Sequence, residues 1–388
     1  MERWLSKARV LIGLSAVLLI AALNRQDPML YRMFLFLATL SALGYALPWL
    51  SLRSLRVQLE AGRYLEVNEG APLAIGILIE NVSRWPSFMV EVRTEWTGSG
   101  HTLTASETLG VIRRGRVPDL AHGMQLDCRG EYVLTAVRLG SGFPLGLTRA
   151  TLTLERPDAR VLVLPRPLAT QWPFPWDTAE DHRGELTTRR LGQSLEPGIL
   201  RPYEHGEPVG RVSWGASARA GELIIQHYQQ QGARRLRVVV DRPPRADAGD
   251  ADSAGEQAIR HAAGLVLACV QQGVQTFTHV PDQAEPVRRA APLLPALARV
   301  RTGESALAAL LARVAAEVKA GEQVAVVVSA ATRPELLLAA LAPPRLRTVR
   351  VAVCIVTRRR AAPPEWVQAK ALQDALADAG WPAWTEAS

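Results

Sequence analysis

Cysteine is scarce in this chain. Its 388 residues include three cysteines, Cys128, Cys269 and Cys354, which are far apart and never form a C-x-x-C pair. An odd number of widely spaced cysteines supports neither a disulfide framework nor a zinc ribbon. Free cysteines are typical of a reducing compartment, so the sequence favours the cytoplasm for the part of the chain that carries them.

Three local signatures of catalysis are also missing. The chain has no G-x-x-x-x-G-K-[ST] phosphate loop, no H-E-x-x-H zinc helix and no G-x-S-x-G nucleophile elbow. Its seven histidines are scattered, so the sequence shows no cluster of metal ligands. We therefore expect neither a cofactor nor a metal, and the sequence favours a protein without catalytic activity of its own.

Positive charge is concentrated at one end of the chain. The formal net charge is +8, and residues 1–56 carry seven Lys/Arg against two Asp/Glu, which leaves a surplus of three positive charges for all later residues. Nucleic-acid binding usually requires a continuous basic face. Because the later residues are nearly balanced in charge, we expect no nucleic-acid partner.

Two uncharged apolar runs follow each other near the N-terminus. Residues 10–23 form the first run and residues 33–50 form the second. The first run is short, since its 14 residues cover about 21 Å of a bilayer core of about 30 Å. We predict a transmembrane hairpin over residues 1–53. The alternative for the first run is a cleaved signal peptide, although no clear A-x-A cleavage site follows it.

Basic residues flank this hairpin on its two outer ends. Arg3, Lys7 and Arg9 precede the first run, and Arg53, Arg56 and Arg63 follow the second. Positively charged flanks stay in the cytoplasm when a protein inserts into a membrane. We therefore predict an inner-membrane protein with both termini and the soluble domains in the cytoplasm, in contact with the lipid bilayer through residues 10–50.

Residues 54–166 show the alternation of a half-buried sheet. From Phe88 to Trp96, apolar side chains and a threonine alternate with charged residues, which is the period of a β-strand. Similar runs recur between Gly, Pro, Asn and Ser turns at a spacing that is typical of sandwiches. We predict an immunoglobulin-like β-sandwich, and a barrel is the alternative closure of the same strands.

A different pattern follows a stretch rich in proline and tryptophan. Residues 165–176 are typical of a linker, because proline cannot donate to a regular ladder of hydrogen bonds. We assign residues 167–234 to this linker and to the signature segment described below. In residues 235–388, strands such as Leu236–Val240 alternate with helical stretches. That order predicts an α/β domain with a mostly parallel sheet covered on both faces.

Asp241 follows the first strand of the predicted α/β domain, at the edge where open parallel sheets place their ligands. This part of the chain resembles a von Willebrand factor A domain, in which an aspartate at this place begins a D-x-S-x-S metal motif. Here the run is Asp241-Arg242-Pro243-Pro244-Arg245, which lacks both hydroxyls and adds two arginines. We therefore expect Asp241 to be a degenerate metal-site position that binds no metal.

One segment is dense in arginine, carboxylates and aromatic residues. It matches the pattern R-x-Y-x-x-G-D-x-x-R-x-I-x-W-x-x-S-A-R-x-G-x-L at Arg201, Tyr203, Gly206, Arg211 (by a one-residue choice of register), Trp214, Ser217, Ala218, Arg219, Gly221 and Leu223. Through this signature segment the chain resembles the bacterial domain-of-unknown-function family number 58. Three positions depart from the family pattern: Glu207 replaces its aspartate, Gly215 replaces a lysine, and Gly142 replaces the aspartate of a D-P-F-G-L turn.

The resemblance covers nearly the whole chain, because the family combines a membrane hairpin, a β domain and a von Willebrand factor A-like domain. It implies a membrane-anchored cytoplasmic scaffold that acts as an accessory or partner of a MoxR-type AAA+ ATPase. Arginine, tyrosine and tryptophan are enriched at binding hot spots. The candidate partner-binding residues are therefore Arg201, Tyr203, Gly206, Glu207, Arg211, Trp214, Ser217 and Arg219.

Two other interpretations of the signature segment stay open. In one, the segment braces the α/β domain, with Trp214 in a core and the arginines paired internally. In the other, it is the active site of a membrane-bound enzyme that acts on cell-envelope precursors, with His205, Glu207 and Arg219 as acid, base and anion-holding groups. A buried Trp214 would favour the first interpretation, and a pocket at these side chains would favour the second.

Overall fold

The computed structural model describes residues 2–59, 64–73, 76–121, 124–155, 159–176, 196–204, 210, 212–229, 234–358, 360 and 362–386. These residues form two N-terminal helices, a β domain, a small unit of two strands and a helix, and an α/β domain. The predicted mixture of helices and strands, with a parallel sheet in the last domain, is confirmed.

The N-terminal helices are α1 (Glu2–Arg25) and α2 (Pro28–Arg53). The side chain of Asp27 caps α2 by accepting a hydrogen bond from the Met29 amide at 2.8 Å. Helix α2 has 26 residues and a mean hydropathy of 1.7 over its most apolar window, and it alone among the described helices is long and apolar enough to cross a membrane. The second apolar run is thereby confirmed as a candidate span.

The C-terminal half of α2 packs on the β domain. Gly44, Pro48 and Leu52 lie four residues apart, so they share one face of the helix, and all three are buried. The Thr148 hydroxyl donates to the Gly44 carbonyl oxygen at 2.9 Å. Because Leu52 also belongs to the hydrophobic core of the β domain, helix and domain form one continuous packed body.

The β domain contains two large sheets and one short two-stranded sheet. Its strands are β1 (Leu55–Leu59), β2 (Tyr64–Asn68), β3 (Pro72–Leu73), β4 (Gly76–Asn81), β5 (Ser87–Gly98), β6 (His101–Ile112), β7 (Gly115–Ala121), β8 (Met124–Gln125), β9 (Gly130–Ser141), β10 (Ala150–Glu155) and β11 (Arg160–Leu164). Strands β1, β4 and β7 form one sheet, and β2, β11, β9, β5 and β6 form the other in that order, with β10 beside β9. Pairing within them is antiparallel except between β2 and β11.

Both sheets contribute to one hydrophobic core. Ile79 of β4 and Trp96 of β5 are fully buried in it. The alternation predicted for β5 is confirmed over Val90–Trp96, where every second residue is buried. Phe88 departs from this pattern because it is only half-buried. The described strands of residues 54–166 thus enclose a core between two sheets, as alternating apolar residues require.

The α/β domain follows the order that its sequence predicts. Its elements are β14 (Arg235–Val240), α4 (Ala254–Gln271), β15 (Gln275–His279), α5 (Leu293–Ala298), α6 (Leu307–Glu317), β16 (Gln323–Ser329), α7 (Pro334–Ala340), β17 (Arg350–Val356), α8 (Pro363–Asp378) and β18 (Ala383–Glu386), numbered after β12, β13 and α3 of the unit described below. The five strands are parallel and lie in the order β15-β14-β16-β17-β18, which is a doubly wound arrangement.

Helices cover both faces of this parallel sheet. On one face, side chains such as Val326 and Val353 pack with α6, α7 and α8. On the other face, Val238 and Val327 pack with α4 and α5. Burial on both sides explains why these strands are continuous apolar runs rather than alternating ones.

Residues 165–176, which the sequence marks as a linker, lie against the α/β domain, and we call them the Pro/Trp segment. The segment contains neither helix nor strand. The Trp172 indole nitrogen donates to Gln323 Oε1 at 2.6 Å, and the Trp172 ring meets that of Trp384 edge-on at 5.6 Å between centroids. Trp172 and Trp176 both pack on the core of the face that carries α4. The segment therefore completes that face of the domain.

The Pro/Trp segment also contacts α4 closely. A Cβ at Gly264 would lie 1.6 Å from the Leu168 carbonyl oxygen, so this position of the helix admits only glycine. One turn earlier, His261 Nδ1 lies 2.7 Å from the Thr170 hydroxyl. Burial lowers the pKa of His261 to about 4, so the histidine is neutral in the folded protein at neutral pH.

Arg129 joins the β domain to the α/β domain. This arginine is 3% exposed, and its Nε lies 2.9 Å from Glu256 Oε2. Its Nη1 donates to the carbonyl oxygens of Leu297, Ala298 and Val300 at 3.1, 3.3 and 2.8 Å. Burial raises the pKa of Glu256, and the guanidinium of Arg129 opposes that shift. The two domains therefore share a buried charge pair.

A second charge pair crosses the same interface. Arg260 of α4 lies 2.7 Å from Glu69, which follows β2. The same carboxylate also accepts a hydrogen bond from the Arg166 amide at 3.1 Å. Nearby, Arg299 donates to the Tyr64 hydroxyl at 2.8 Å. Polar contacts thus hold the β domain, the Pro/Trp segment and the α/β domain together.

Replacing Arg129 should destabilise the protein strongly. Arg129→Met leaves Glu256 buried without its counter-charge, and the expected loss is about 3–5 kcal/mol in the free energy of unfolding. Arg93→Met is the matched control, because its partner Glu91 lies on a solvent-facing surface, and we expect a loss of about 0–1 kcal/mol. Denaturant unfolding of the full chain in detergent measures both losses. Equal losses in the two variants would contradict a structural role for Arg129.

Acid should destabilise the contact between the Pro/Trp segment and α4. The unfolded chain protonates His261 near its ordinary pKa of 6.5, whereas the folded chain does so only near a pKa of about 4. Stability from this group is therefore present above about pH 6.5 and lost as the pH falls towards about 4, at about 1.4 kcal/mol per pKa unit. His261→Gln should flatten the fall in melting temperature over this range, and an unchanged profile would contradict the assignment.

Candidate functional site

The signature segment forms a small unit of two strands and one helix. Strands β12 (Glu196–Pro202) and β13 (Ile224–Gln229) pair antiparallel, with an irregularity between Pro197 and Leu200. Helix α3 (Trp214–Ala220) lies between them in sequence. We call β12, α3 and β13 the signature unit. The described residues of the signature segment therefore belong to one unit of two paired strands and a helix.

Ser217 fastens α3 to β13. Its hydroxyl donates to the Ser213 carbonyl oxygen at 2.9 Å and accepts from the Ile224 amide at 2.8 Å. Gly221 caps the C-terminal end of the helix. Its φ of 74° is left-handed, and its amide donates to the Ser217 carbonyl oxygen at 2.9 Å. Ser217 is 8% exposed, so this member of the predicted binding set has a structural role.

Trp214 opens α3 and is 66% exposed. The bracing interpretation of the signature segment placed this side chain in a core, and the structure contradicts that placement. Arg219 lies one turn further along the same helix and is also exposed, and its Nε donates to the Gly215 carbonyl oxygen within α3 at 3.2 Å. Leu223 beside them is 44% exposed. The unit thus presents an indole, a guanidinium and a leucine to solvent.

The structure describes some of the remaining signature residues fully, one by its backbone only, and others not at all. Tyr203 is half-buried, and its amide donates to the Leu223 carbonyl oxygen at 2.7 Å. Arg201 pairs through its backbone with Ile225, and its side chain lies outside the described part of the structure. Gly206, Glu207 and Arg211, and also His205, lie outside the described residues. Their predicted roles therefore stay predictions.

The signature unit has its own small interior. Val212 and Ile225 are 8% and 1% exposed and pair across an isolated antiparallel bridge. The described residues of the unit belong to none of the three large hydrophobic cores. The unit is therefore an addition to the α/β domain rather than part of its packed layers, which suits an exposed binding element.

Asp241 has protein partners at the edge of the parallel sheet. Its two carboxylate oxygens accept hydrogen bonds from the Ser305 hydroxyl and the Ala306 amide, each at 2.9 Å. These bonds place the carboxylate at the N-terminus of α6, where the helix dipole favours negative charge. Within the described residues, no group of three or more His, Cys, Asp or Glu side chains is arranged to hold a metal ion.

A cleft of about 500 Å³ lies between the β domain and the α/β domain. Arg129 and Glu256 line this cleft, and their side chains form a charge pair with each other. Cys128 also lines it, and burial raises the pKa of this thiol to about 11, which keeps it protonated and a poor nucleophile. The described walls contain no histidine that could act as its base. The cleft therefore lacks a nucleophile and base pair among its described residues.

The comparisons with known proteins give no assignment. No protein-family model matches the chain, and no curated protein matches it. The resemblance to the domain-of-unknown-function family therefore depends on the signature residues and the order of domains described above.

Exposed and buried members of the signature unit should differ sharply in their effect on stability. Trp214→Ala and Arg219→Glu each remove an exposed side chain, so we expect changes of less than about 1 kcal/mol in the free energy of unfolding. Ile225→Ala is the control within the same unit, and we expect a loss of about 2–5 kcal/mol because Ile225 is 1% exposed. Thermal melts of the full chain compare the three variants. A large loss in Arg219→Glu would point to internal pairing instead.

Proposed function

We propose that this chain is a membrane-anchored scaffold whose signature unit binds a protein partner. The observation that carries the proposal is the exposure of Trp214, 66%, on a helix that also presents Arg219. Tryptophan and arginine are the residue types that most often dominate binding energy at protein interfaces. An exposed indole that contributes little to folding is well suited to a partner surface.

We further propose that the β domain is immunoglobulin-like. Two sheets around one core are the architecture of that fold. A second feature supports it: near the start of β9 the buried Tyr132 hydroxyl donates to the Cys128 carbonyl oxygen, four residues upstream, at 3.0 Å. A tyrosine that bonds back to the backbone at a strand corner is a hallmark of immunoglobulin-like sandwiches.

The α/β domain is proposed to be von Willebrand factor A-like, with Asp241 as the remnant of a metal-binding position. A parallel sheet covered on both faces and an aspartate directly after its first strand support this assignment. The hydrogen bonds that Asp241 accepts from Ser305 and Ala306 occupy the carboxylate with protein donors. Such a domain serves as a binding scaffold without requiring a cofactor.

The membrane orientation follows from the charges around α2. Arg53 ends the helix and Arg56 follows it in β1, and both side chains are exposed. Positive residues at this end favour a cytoplasmic location for everything after residue 53. We propose that α1 supplies a second span over residues 10–23, so that both termini lie in the cytoplasm of a cell with this protein in its inner membrane.

The proposed partner is a MoxR-type AAA+ ATPase, which the family resemblance implies. Photo-crosslinking in intact cells tests it. Benzoylphenylalanine replaces Trp214 in one variant and Trp366, another exposed tryptophan, on α8 and 44% exposed, in the control. We expect an ATPase adduct from position 214 only, and a lower yield when Arg219→Glu is added. Identical adducts from both positions, or none from position 214, would overturn the proposed binding surface.

A further inference from the structure

The loop between β9 and β10 is seated on the membrane helix α2. A Cβ at Gly44 of α2 would lie 2.7 Å from Leu147 Cδ1 and 3.5 Å from Leu145 Cδ1, so the loop meets the helix where the helix has no side chain. The hydrogen bond from the Thr148 hydroxyl to the Gly44 carbonyl oxygen holds it there at 2.9 Å. The position of Gly44 along α2 therefore gives the depth of this loop.

Gly44 lies at the level where α2 passes from lipid tails to headgroups. It falls within the uncharged run of residues 33–50, and Tyr45 and Trp49 follow it with 73% and 55% exposure. Exposed tyrosine and tryptophan on a spanning helix mark the boundary between the acyl chains and the headgroups. A loop that packs on Gly44 lies at this boundary.

The loop has the composition of a membrane-contacting element. Residues 139–148 contain no charged side chain, and Leu145 at the tip is 44% exposed. Phe143 of the loop stacks on Phe88 with ring centroids 4.8 Å apart, next to Met89, which is 54% exposed. The loop and the adjoining start of β5 therefore expose apolar side chains, Leu145 and Met89, which water alone would not stabilise.

The charges nearest to the loop are neutralised. Arg138 before it lies 3.0 Å from Glu95, and Arg149 after it pairs with Glu91. The loop backbone also satisfies part of its own hydrogen bonding, since the Gly146 amide donates to the Gly142 carbonyl oxygen at 2.6 Å. Both features lower the cost of placing this loop against lipid.

A second loop lies at the end of α2, on the headgroup side of Gly44. Residues 82–87 are bonded to the end of α2. The Val82 amide donates to the Ser54 carbonyl oxygen at 3.1 Å, and the Ser87 hydroxyl donates to the Ser51 carbonyl oxygen at 2.8 Å. Ser54 is ten residues beyond Gly44, or about 15 Å along a helix. This loop exposes Trp85 at 81%, beside Arg84. An aromatic ring with an arginine complements the anionic headgroups of a bilayer.

We propose that the β9–β10 loop, residues 142–147, is a membrane wedge that enters the headgroup and acyl-chain boundary beside α2. The proposal depends on α2 being the span proposed above. The wedge gives the β domain a second attachment to the bilayer, so the domain stands on the membrane through both its helix and its loop. Its ligand is the lipid bilayer itself rather than a protein.

Depth-dependent quenching in nanodiscs with anionic phospholipids tests the wedge on the full chain. The three native cysteines are buried, so an environment-sensitive thiol probe reacts selectively with an introduced cysteine. Leu145→Cys and Met89→Cys report the patch, Phe36→Cys reports α2, and Val367→Cys on α8 is the remote control with 68% exposure. We expect nitroxide lipids labelled near the headgroup to quench positions 145 and 89, those labelled deep in the acyl chain to quench position 36, and neither to quench position 367.

The outcomes separate the wedge from the anchor. Quenching at position 36 with positions 145 and 89 as unquenched as position 367 overturns the wedge and leaves the anchor intact. Unquenched probes at positions 36, 145 and 89 overturn the anchor, and with it the wedge. If Leu145→Cys fails to fold, the Met89→Cys probe still decides, because Met89 is exposed and follows Phe88, which stacks on Phe143 of the loop.

Discussion

A charge pair buried between domains determines how this chain is assembled. Arg129 and Glu256 are almost fully buried, and a buried charge is tolerated only with its partner. The carbonyl oxygens that accept hydrogen bonds from Arg129 also constrain how the two domains are oriented, because a guanidinium donates in a fixed planar geometry. The β domain and the α/β domain are therefore joined in one arrangement.

The same contacts also fix the α/β domain relative to α2, the candidate membrane span. Leu52 of α2 packs in the core of the β domain, and the Gly44 carbonyl oxygen is bonded to Thr148. The β domain in turn meets the α/β domain through Arg129. No flexible joint intervenes among these described contacts. Through these contacts the α/β domain has one position relative to α2, the candidate membrane span.

The periodicity of the sequence predicted the types of helices and strands better than it predicted the contacts between distant residues. The alternation of Val90–Trp96 and the continuous apolar runs of the α/β strands gave the correct element types, because burial on one face or two leaves a direct mark on the sequence. Arg129 and Glu256 are 127 residues apart, and no local pattern reports such a contact.

Residue type was also a poor guide to exposure at Trp214, since tryptophan serves cores and binding surfaces equally well. The signature pattern includes α3, but it could not separate Ser217, which fastens the helix, from Arg219, which faces solvent. The difference depends on which side of one helical turn each residue occupies, and the pattern of conserved letters contains no such information.

The Pro/Trp segment has a consequence for biosynthesis. Trp172 finds its hydrogen-bond partner Gln323 only 151 residues later in the chain. At a synthesis rate of about 5–20 residues per second, this tryptophan leaves the ribosome roughly 8–30 s before the strand that receives it. The segment is thus synthesised well before the strand that it binds. The face of the α/β domain that it covers stays open until translation is nearly complete.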